Sequence, residues 1–238
     1  MALNKYNRDI SVIIPAAGSG KRMHNKSIPK AFMLLAGQPL LTRSLNKFIL
    51  LPAIKEIIIA VSRENMARAA RLVSKYKAKL PEIKLVKGGK ERCDSVANAL
   101  KIINPASRII LIHDAARPLV KKEDIIRLVK AVRKNGAAIL AVPVVDTIKR
   151  VNSNGQIKET LPRQELWAAQ TPQGFKRDII MKAYNRLLKR SKTITDDASL
   201  VEHIDYPVRI VPGSYTNLKI TTPADKIFAQ KLLNFTKV

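Results

Sequence analysis

Short runs of apolar, mostly β-branched residues alternate along this chain with stretches whose apolar positions recur every three or four residues. The runs are Ser11–Ile14, Glu56–Val61, Ile83–Val86, Arg108–Ile112 and Ala137–Val142. They are near-continuous rather than alternating, which fits parallel strands covered on both faces. Between them, Leu40–Leu50, Asn65–Lys79, Asp94–Ile103 and Lys122–Asn135 read as helices. In the last of these, Ile125, Ile126, Leu128, Val129 and Val132 form an apolar stripe, and Asn135-Gly136 supplies the stop. Strand–helix repetition with right-handed crossovers predicts an α/β fold with a doubly wound, mostly parallel sheet.

The alternation ends after Val142. Asp146–Val151 and Gln156–Leu161 flank the turn Asn152-Ser-Asn-Gly155 and read as a β-hairpin that is polar on both legs. A polar hairpin has little apolar surface to dock on its own domain, so it is an exposed arm or an interface element. Helices resume at about Lys176–Arg190, Asp196–Glu202 and Pro223–Phe235, the last opened by the capping sequence Thr222-Pro-Ala-Asp225. With no internal repeat and no linker, one domain is expected over 1–238, with the arm at 144–166.

Composition narrows the class. The 238 residues are 46% hydrophobic and 26% charged, enough for a sizeable core and too apolar for general disorder. The longest apolar run, Ala137–Val145, falls well short of the roughly 18 residues of a membrane span. The first nine residues hold no apolar stretch of signal-peptide length, so a cytoplasmic protein without a membrane partner is expected. A lone cysteine, Cys93, excludes an intrachain disulfide and a cysteine-based metal cluster, and it reads as packing. Lys and Arg exceed Asp and Glu by 44 to 18, a net charge of +26 that favours anionic partners. The cations are spread over the whole chain and aromatics are only 5%, so neither a basic tail nor a base-stacking platform points to a specific nucleic acid.

Three segments carry candidate chemistry. Pro15-Ala-Ala-Gly-Ser-Gly-Lys-Arg-Met23 follows the first strand, and its glycines and amides suit a phosphate nest with Lys21, Arg22, Lys26 and Lys30 close in sequence. It is neither a Walker loop nor a dinucleotide fingerprint, since Met23 stands where the third glycine would be. Lys87-Gly-Gly-Lys-Glu-Arg-Cys-Asp-Ser-Val96 joins another strand to a helix, with Asp94 or Ser95 as a helix cap or Ser95 as a ligand. Ile112-His-Asp-Ala-Ala-Arg-Pro118 puts Asp114 at the carboxyl end of a strand, where α/β sheets hold ligands. Asp114 could hold Mg²⁺ against triphosphate oxygens or simply pair with Arg117, and His113 is expected to orient the loop.

These blocks, with Pro29-Lys30, Thr195-Asp-Asp-Ala-Ser199 and Asn217-Leu-Lys-Ile-Thr221, occur in an order that resembles the 2-C-methyl-D-erythritol 4-phosphate cytidylyltransferase family over essentially the whole chain. The ribitol-5-phosphate cytidylyltransferases share the general plan but more usually read Asp-Ala-Val-Arg-Pro where this chain has Asp114-Ala-Ala-Arg-Pro118. The resemblance implies a Rossmann-like nucleotidyltransferase whose β-arm clasps a second subunit, and a Mg²⁺-dependent transfer of CMP from CTP to a polyol phosphate. By motif match it implies Ala16, Ala17, Gly18, Gly20, Gly89, Lys90, Ser95 and Ala115 at the CTP site, and Arg22 and Lys30 as catalytic cations. It further implies sugar-phosphate contacts from Asp114, Thr147, Arg163, Thr171, Thr195 and Lys219, with Asp114 as the metal ligand. Two positions depart from the family's habit: Ala31 stands where Gln is common, and Lys90 where an acidic residue is common.

Overall fold

The computed structural model describes residues 8–18, 28–76, 81–187 and 194–235. In chain order the elements are β1 (Ile10–Pro15), β2 (Leu34–Leu35), β3 (Gln38–Pro39), α1 (Leu40–Ile49), β4 (Ile54–Val61), α2 (Met66–Val73), β5 (Glu82–Lys87) and α3 (Arg92–Leu100). There follow β6 (Ile109–Ile112), α4 (Lys122–Asn135), β7 (Ala137–Pro143), β8 (Lys149–Val151), β9 (Ile157–Thr160) and β10 (Trp167–Lys176). The chain closes with α5 (Arg177–Leu187), α6 (Asp197–Glu202), β11 (Arg209–Pro212) and α7 (Pro223–Phe235).

Seven strands form one sheet in the order β11-β7-β10-β6-β1-β4-β5. All neighbours are parallel except β10, which runs antiparallel to both β6 and β7. Every strand expected from the apolar runs is present. The helices are also in place, some with shifted ends: the expected helix from Asn65 is α-helical over Met66–Val73 and tightens into a 3₁₀ turn at Ser74–Tyr76. Its expected tail at 77–79, and the tail of α5 at 188–190, lie outside the described residues.

Because side chains alternate across a strand, each strand feeds two cores. Val12, Ile14, Ile57, Ile59, Leu111 and Leu140 pack with α1, α2 and α4 through residues such as Leu45, Phe48, Val73 and Leu128. Ile13, Ile58, Ile110, Ile112 and Ile139 face the other way onto α3, α5 and α6 through Val96, Ile180 and Val201. The sheet is thus covered on both faces, which explains why its central strands read as continuous apolar runs. Gly136, at φ +85°, ends α4 in the left-handed region where a side chain would be strained.

Two strands of the main sheet, β10 and β11, and the short pair β2 and β3 were not legible. Trp167–Lys176 carries Pro172 and Gly174, residues that argue against a central strand. The structure accommodates them by a register shift between Ala169 and Gln173. β11 is short and pairs only with β7. The expected hairpin forms as β8 and β9, and every residue of both strands is exposed. A hydrogen bond from Val144 N to Leu166 O closes its base at 3.0 Å. Val145, Val151 and Ile157 are 64%, 51% and 63% exposed, so the ribbon displays apolar side chains that its own domain leaves uncovered.

Strand order reverses direction between β1 and β6, and the loops after these strands leave from the same carboxyl edge. That crevice is where an open α/β sheet binds ligands.

Candidate active site

Two adjoining pockets open on this edge. The larger, about 460 Å³, is lined by all the described residues expected at the CTP site: Ala16, Ala17, Gly18, Gly89, Lys90, Ser95 and Ala115. Lys30 and Ala31 also line it. The smaller, about 250 Å³, is lined by Thr171 and Thr195 together with Gln173 and Arg117. Arg92, Asp114 and Lys219 line both and form the wall between them. Gly20 and Arg22 lie outside the described residues. Ala31 is buried in the short 3₁₀ turn Lys30–Phe32, so the small side chain at this departure is part of the core. Lys90 is exposed at the pocket's mouth.

The glycine pair at 88–89 has a steric reason. A Cβ on Gly88 would lie 2.3 Å from the Ala17 side chain, and one on Gly89 would lie 2.1 Å from Asp94 Cβ. Only glycine therefore lets this loop close against the loop after β1. The first turn of α3 is fixed by a reciprocal capping box between Glu91 and Asp94, which starts the helix at Arg92, two residues before the sequence expectation. Ser95 is not the cap: its hydroxyl accepts from Gly89 N at 3.0 Å and donates to Glu91 O at 3.1 Å. It shapes the loop that lines the larger pocket.

The central feature is a buried ionic cluster. Asp114 Oδ1 accepts from Arg92 Nε at 2.9 Å, and Asp114 Oδ2 pairs with Lys219 Nζ at 2.6 Å. Burial alone would raise the Asp114 pKa, but the charges of Arg92 and Lys219 outweigh it and hold the carboxyl well below the usual carboxylate range. Arg92 continues to Asp197 through Nη1 at 2.8 Å, and Tyr184 donates to the same carboxylate at 2.6 Å. Burial and the Asp197 charge push the Tyr184 hydroxyl upward. Arg92 Nη2 is buried with no hydrogen-bond partner, leaving one guanidinium donor uncommitted where the two pockets meet.

This geometry corrects two expectations. Asp114 does not pair with Arg117, whose guanidinium instead donates to Asn217 O at 2.6 Å and Ala169 O at 3.2 Å. Nor does Asp114 fit a direct magnesium ligand, since each of its oxygens already carries a cation that would repel a second positive charge. Among the described residues no group of three His, Cys, Asp or Glu side chains could hold a metal ion. Thr171, expected at the acceptor, lines the smaller pocket with its hydroxyl turned inward. It accepts from Asp114 N at 3.0 Å and meets His113 Nδ1 at 3.2 Å, so its single proton is engaged there. His113 Nε2 then donates to Arg117 O at 3.0 Å, and burial lowers the ring's pKa to about 4, so the imidazole is neutral and orients the loop as expected.

Asn217 binds the Lys219 segment to β10 through Nδ2, with Gln170 Oε1 at 3.0 Å and Thr171 O at 2.9 Å. Gln173 holds the Thr195–Ser199 block by accepting from the amides of Asp197 and Ala198 and donating to Asp196. Thr147 and Arg163 line neither pocket; they sit exposed at the base of the arm, where Arg163 Nη1 donates to Val145 O at 2.9 Å. Cys93 is partly buried against the core under α3 and α5, consistent with packing. The residue that sequence reasoning missed is Arg92. Its signal was present, an arginine at a fixed place after the paired glycines, but its partners are 22 and 105 positions away.

Comparison with known proteins completes the picture. The family model for 2-C-methyl-D-erythritol 4-phosphate cytidylyltransferase (IspD) matches residues 10–234. A protein of that name from Syntrophus aciditrophicus is 44% identical over 225 residues, covering 94% of this chain and 95% of its own. Another from Alkaliphilus metalliredigens is 43% identical over 226 residues, with 94% and 93% covered. The crystal structure of 4-diphosphocytidyl-2C-methyl-D-erythritol synthase from Anaerococcus prevotii superposes with a TM-score of 0.84 at 32% identity, over 95% of this chain and 99% of that one. The family model and the relatives favour the methylerythritol reading over the ribitol one: the chain belongs to the 2-C-methyl-D-erythritol 4-phosphate cytidylyltransferase family, nucleotidyltransferases of isoprenoid biosynthesis.

Proposed function

We propose that the larger pocket binds CTP, the smaller binds methylerythritol 4-phosphate, and CMP passes between them across the wall formed by Arg92, Asp114 and Lys219. The observation that carries this is the pair of adjoining pockets sharing three charged residues. A phosphate monoester has a second pKa of about 6, so the acceptor is mostly a dianion at neutral pH and attacks without a general base. Its oxygen forms a bond to the α-phosphorus while the bond to the pyrophosphate oxygen breaks. Negative charge builds on the equatorial and leaving oxygens, and fixed cations stabilise it. Lys30 supplies a point charge beside the triphosphate, and Arg22 a fork donor from the first glycine loop. Gly18, Gly89 and Lys90 line the pocket for the phosphates and base, and Gly20 is assigned there by motif alone. Arg92 Nη2 and Lys219 hold the acceptor phosphate, with Thr195 at the pocket's far side. Asp114 keeps these two cations in place and retains lone pairs for polyol hydroxyls. Magnesium, if bound with the nucleotide, would neutralise charge on the triphosphate; Asp114, the expected holder, already has Arg92 and Lys219 on its two oxygens.

The arm completes the site in a cytoplasmic homodimer. A two-stranded ribbon is marginal alone, and its exposed apolar residues call for a covering surface. A second copy across a two-fold axis supplies it and brings Thr147 and Arg163 from one chain to the acceptor bound by the other. Arg163→Ala and Lys30→Ala should each be inactive as homodimers. Mixed and re-equilibrated, they form heterodimers with one site carrying both defects and one carrying neither, so each mixed dimer regains about half of the wild-type turnover. A mixture that stays inactive, with heterodimers confirmed by mass, contradicts the shared site.

A further inference from the structure

The opposite edge of the sheet carries a third cavity, larger than either active-site pocket at about 650 Å³. It lies at the amino-terminal start of β6, and its lining includes Ser107, Arg108, Arg133, Lys176, Arg177 and Asp178. It shares no lining residue with the two pockets above. Arg108 is separated from Asp114 along β6 by about 20 Å at roughly 3.3 Å per residue. Its size falls in the ordinary range for a small-molecule site, about 300–1,000 Å³.

The pairing of β10 with β6 dictates the charge of this cavity. Lys176 lies opposite Ile109, and the next step places Arg177 opposite Arg108, tied by a hydrogen bond from Arg177 N to Arg108 O at 2.9 Å. Like charges set directly opposite in an antiparallel pair repel and destabilise it. Among the described residues no ion pair offsets that repulsion. Arg133 is matched, since it grips Asp9 through two hydrogen bonds of 3.0 and 2.7 Å. Arg108, Lys176 and Arg177 form no ion pair among the described residues, although Asp178 lines the same cavity. In addition, Arg177 Nε is shut off from solvent with no acceptor. A buried donor left unpaired is costly, and in native structures it is uncommon enough to require a reason.

Arg108 and Lys176 are exposed and hydrated, but they flank the one guanidinium donor of Arg177 that water does not reach, and an anion with several acceptor oxygens would satisfy that donor and neutralise all three. Arginine forks match phosphate oxygens in pairs, whereas a single carboxylate would satisfy only one of them. We propose that this cavity binds a small polyphosphate, a di- or triphosphate group held by Arg108, Lys176 and Arg177, independently of the nucleotide site.

Equilibrium dialysis with inorganic pyrophosphate as the probe, at physiological salt, tests this on the intact protein. The parent should bind two pyrophosphates per chain, one at each edge of the sheet. Arg108→Gln/Arg177→Gln should bind one, with the lost site weakened at least ~10-fold, since each hydrogen bond to a charged group contributes on that scale or more. Turnover of the variant should match the parent, because neither residue touches the reaction pockets. Arg108→Gln alone alters an exposed side chain, so it keeps the fold and should by itself weaken the second binding event. Parent and variants binding the same number with the same affinities would overturn the proposal.

Discussion

Lys30→Ala should lower turnover by ~10²–10³ while leaving the melting temperature near that of the parent. The expectation follows from where the structure puts the two halves of the turn Lys30–Phe32. Ala31 and Phe32 are buried, and the Phe32 ring is stacked by Arg68 at 4.9 Å, so the backbone of the turn is held by packing that the substitution leaves intact. Lys30 itself lines the larger pocket, at the rim of the core rather than within it. Its removal therefore takes a cation from the wall of the pocket proposed to hold CTP while the packed half of the turn stays in place. Steady-state kinetics with thermal melts checks this; a loss below about tenfold contradicts the role, and a collapse in stability would mean the residue is structural.

Arg92→Ala should do what Lys30→Ala does not, lowering stability and activity together. The guanidinium bridges Asp114 and Asp197, whose side chains are only 9% and 1% exposed. Removing it leaves buried Asp197 without a cation and Asp114 with Lys219 alone, and breaking a buried pair in this way costs about 3–5 kcal/mol. In a chain of this size each kcal/mol moves the melting temperature by about 2–4 °C. Activity should fall as well, because Arg92 walls both pockets. Arg92→Lys separates the two effects: it restores a positive charge but cannot reach both carboxylates with one ammonium, so it should recover part of the stability and little of the turnover. An Arg92→Ala protein as stable as its parent would contradict the clamp.

Strands β1, β4, β6 and β7 were legible because burial on both faces makes them continuously apolar, a local property. β10 was not, since a strand containing Pro172 and Gly174 forms only where β6 and β7 hold it from either side and a bulge absorbs the proline. The glycine loops and Lys219 were legible as motifs, and the structure brings their described residues to one edge. What motifs could not give is who pairs with whom. Asp114 has Arg117 three residues away, yet its partners are Arg92 and Lys219, because Arg117 is turned toward the backbone of Asn217 and Ala169. Thr171 likewise reads as an available hydroxyl until the antiparallel strand folds it against His113. Such choices are made by tertiary contact and carry no periodicity.

Pyrophosphate release from CTP, measured in parallel with methylerythritol 4-phosphate and ribitol 5-phosphate, tests the central claim most directly. The site described here predicts release with methylerythritol 4-phosphate, matched one for one by formation of the CDP-alcohol, and much slower release with ribitol 5-phosphate. Faster turnover of the ribitol phosphate, or no pyrophosphate from CTP with either acceptor, would contradict it.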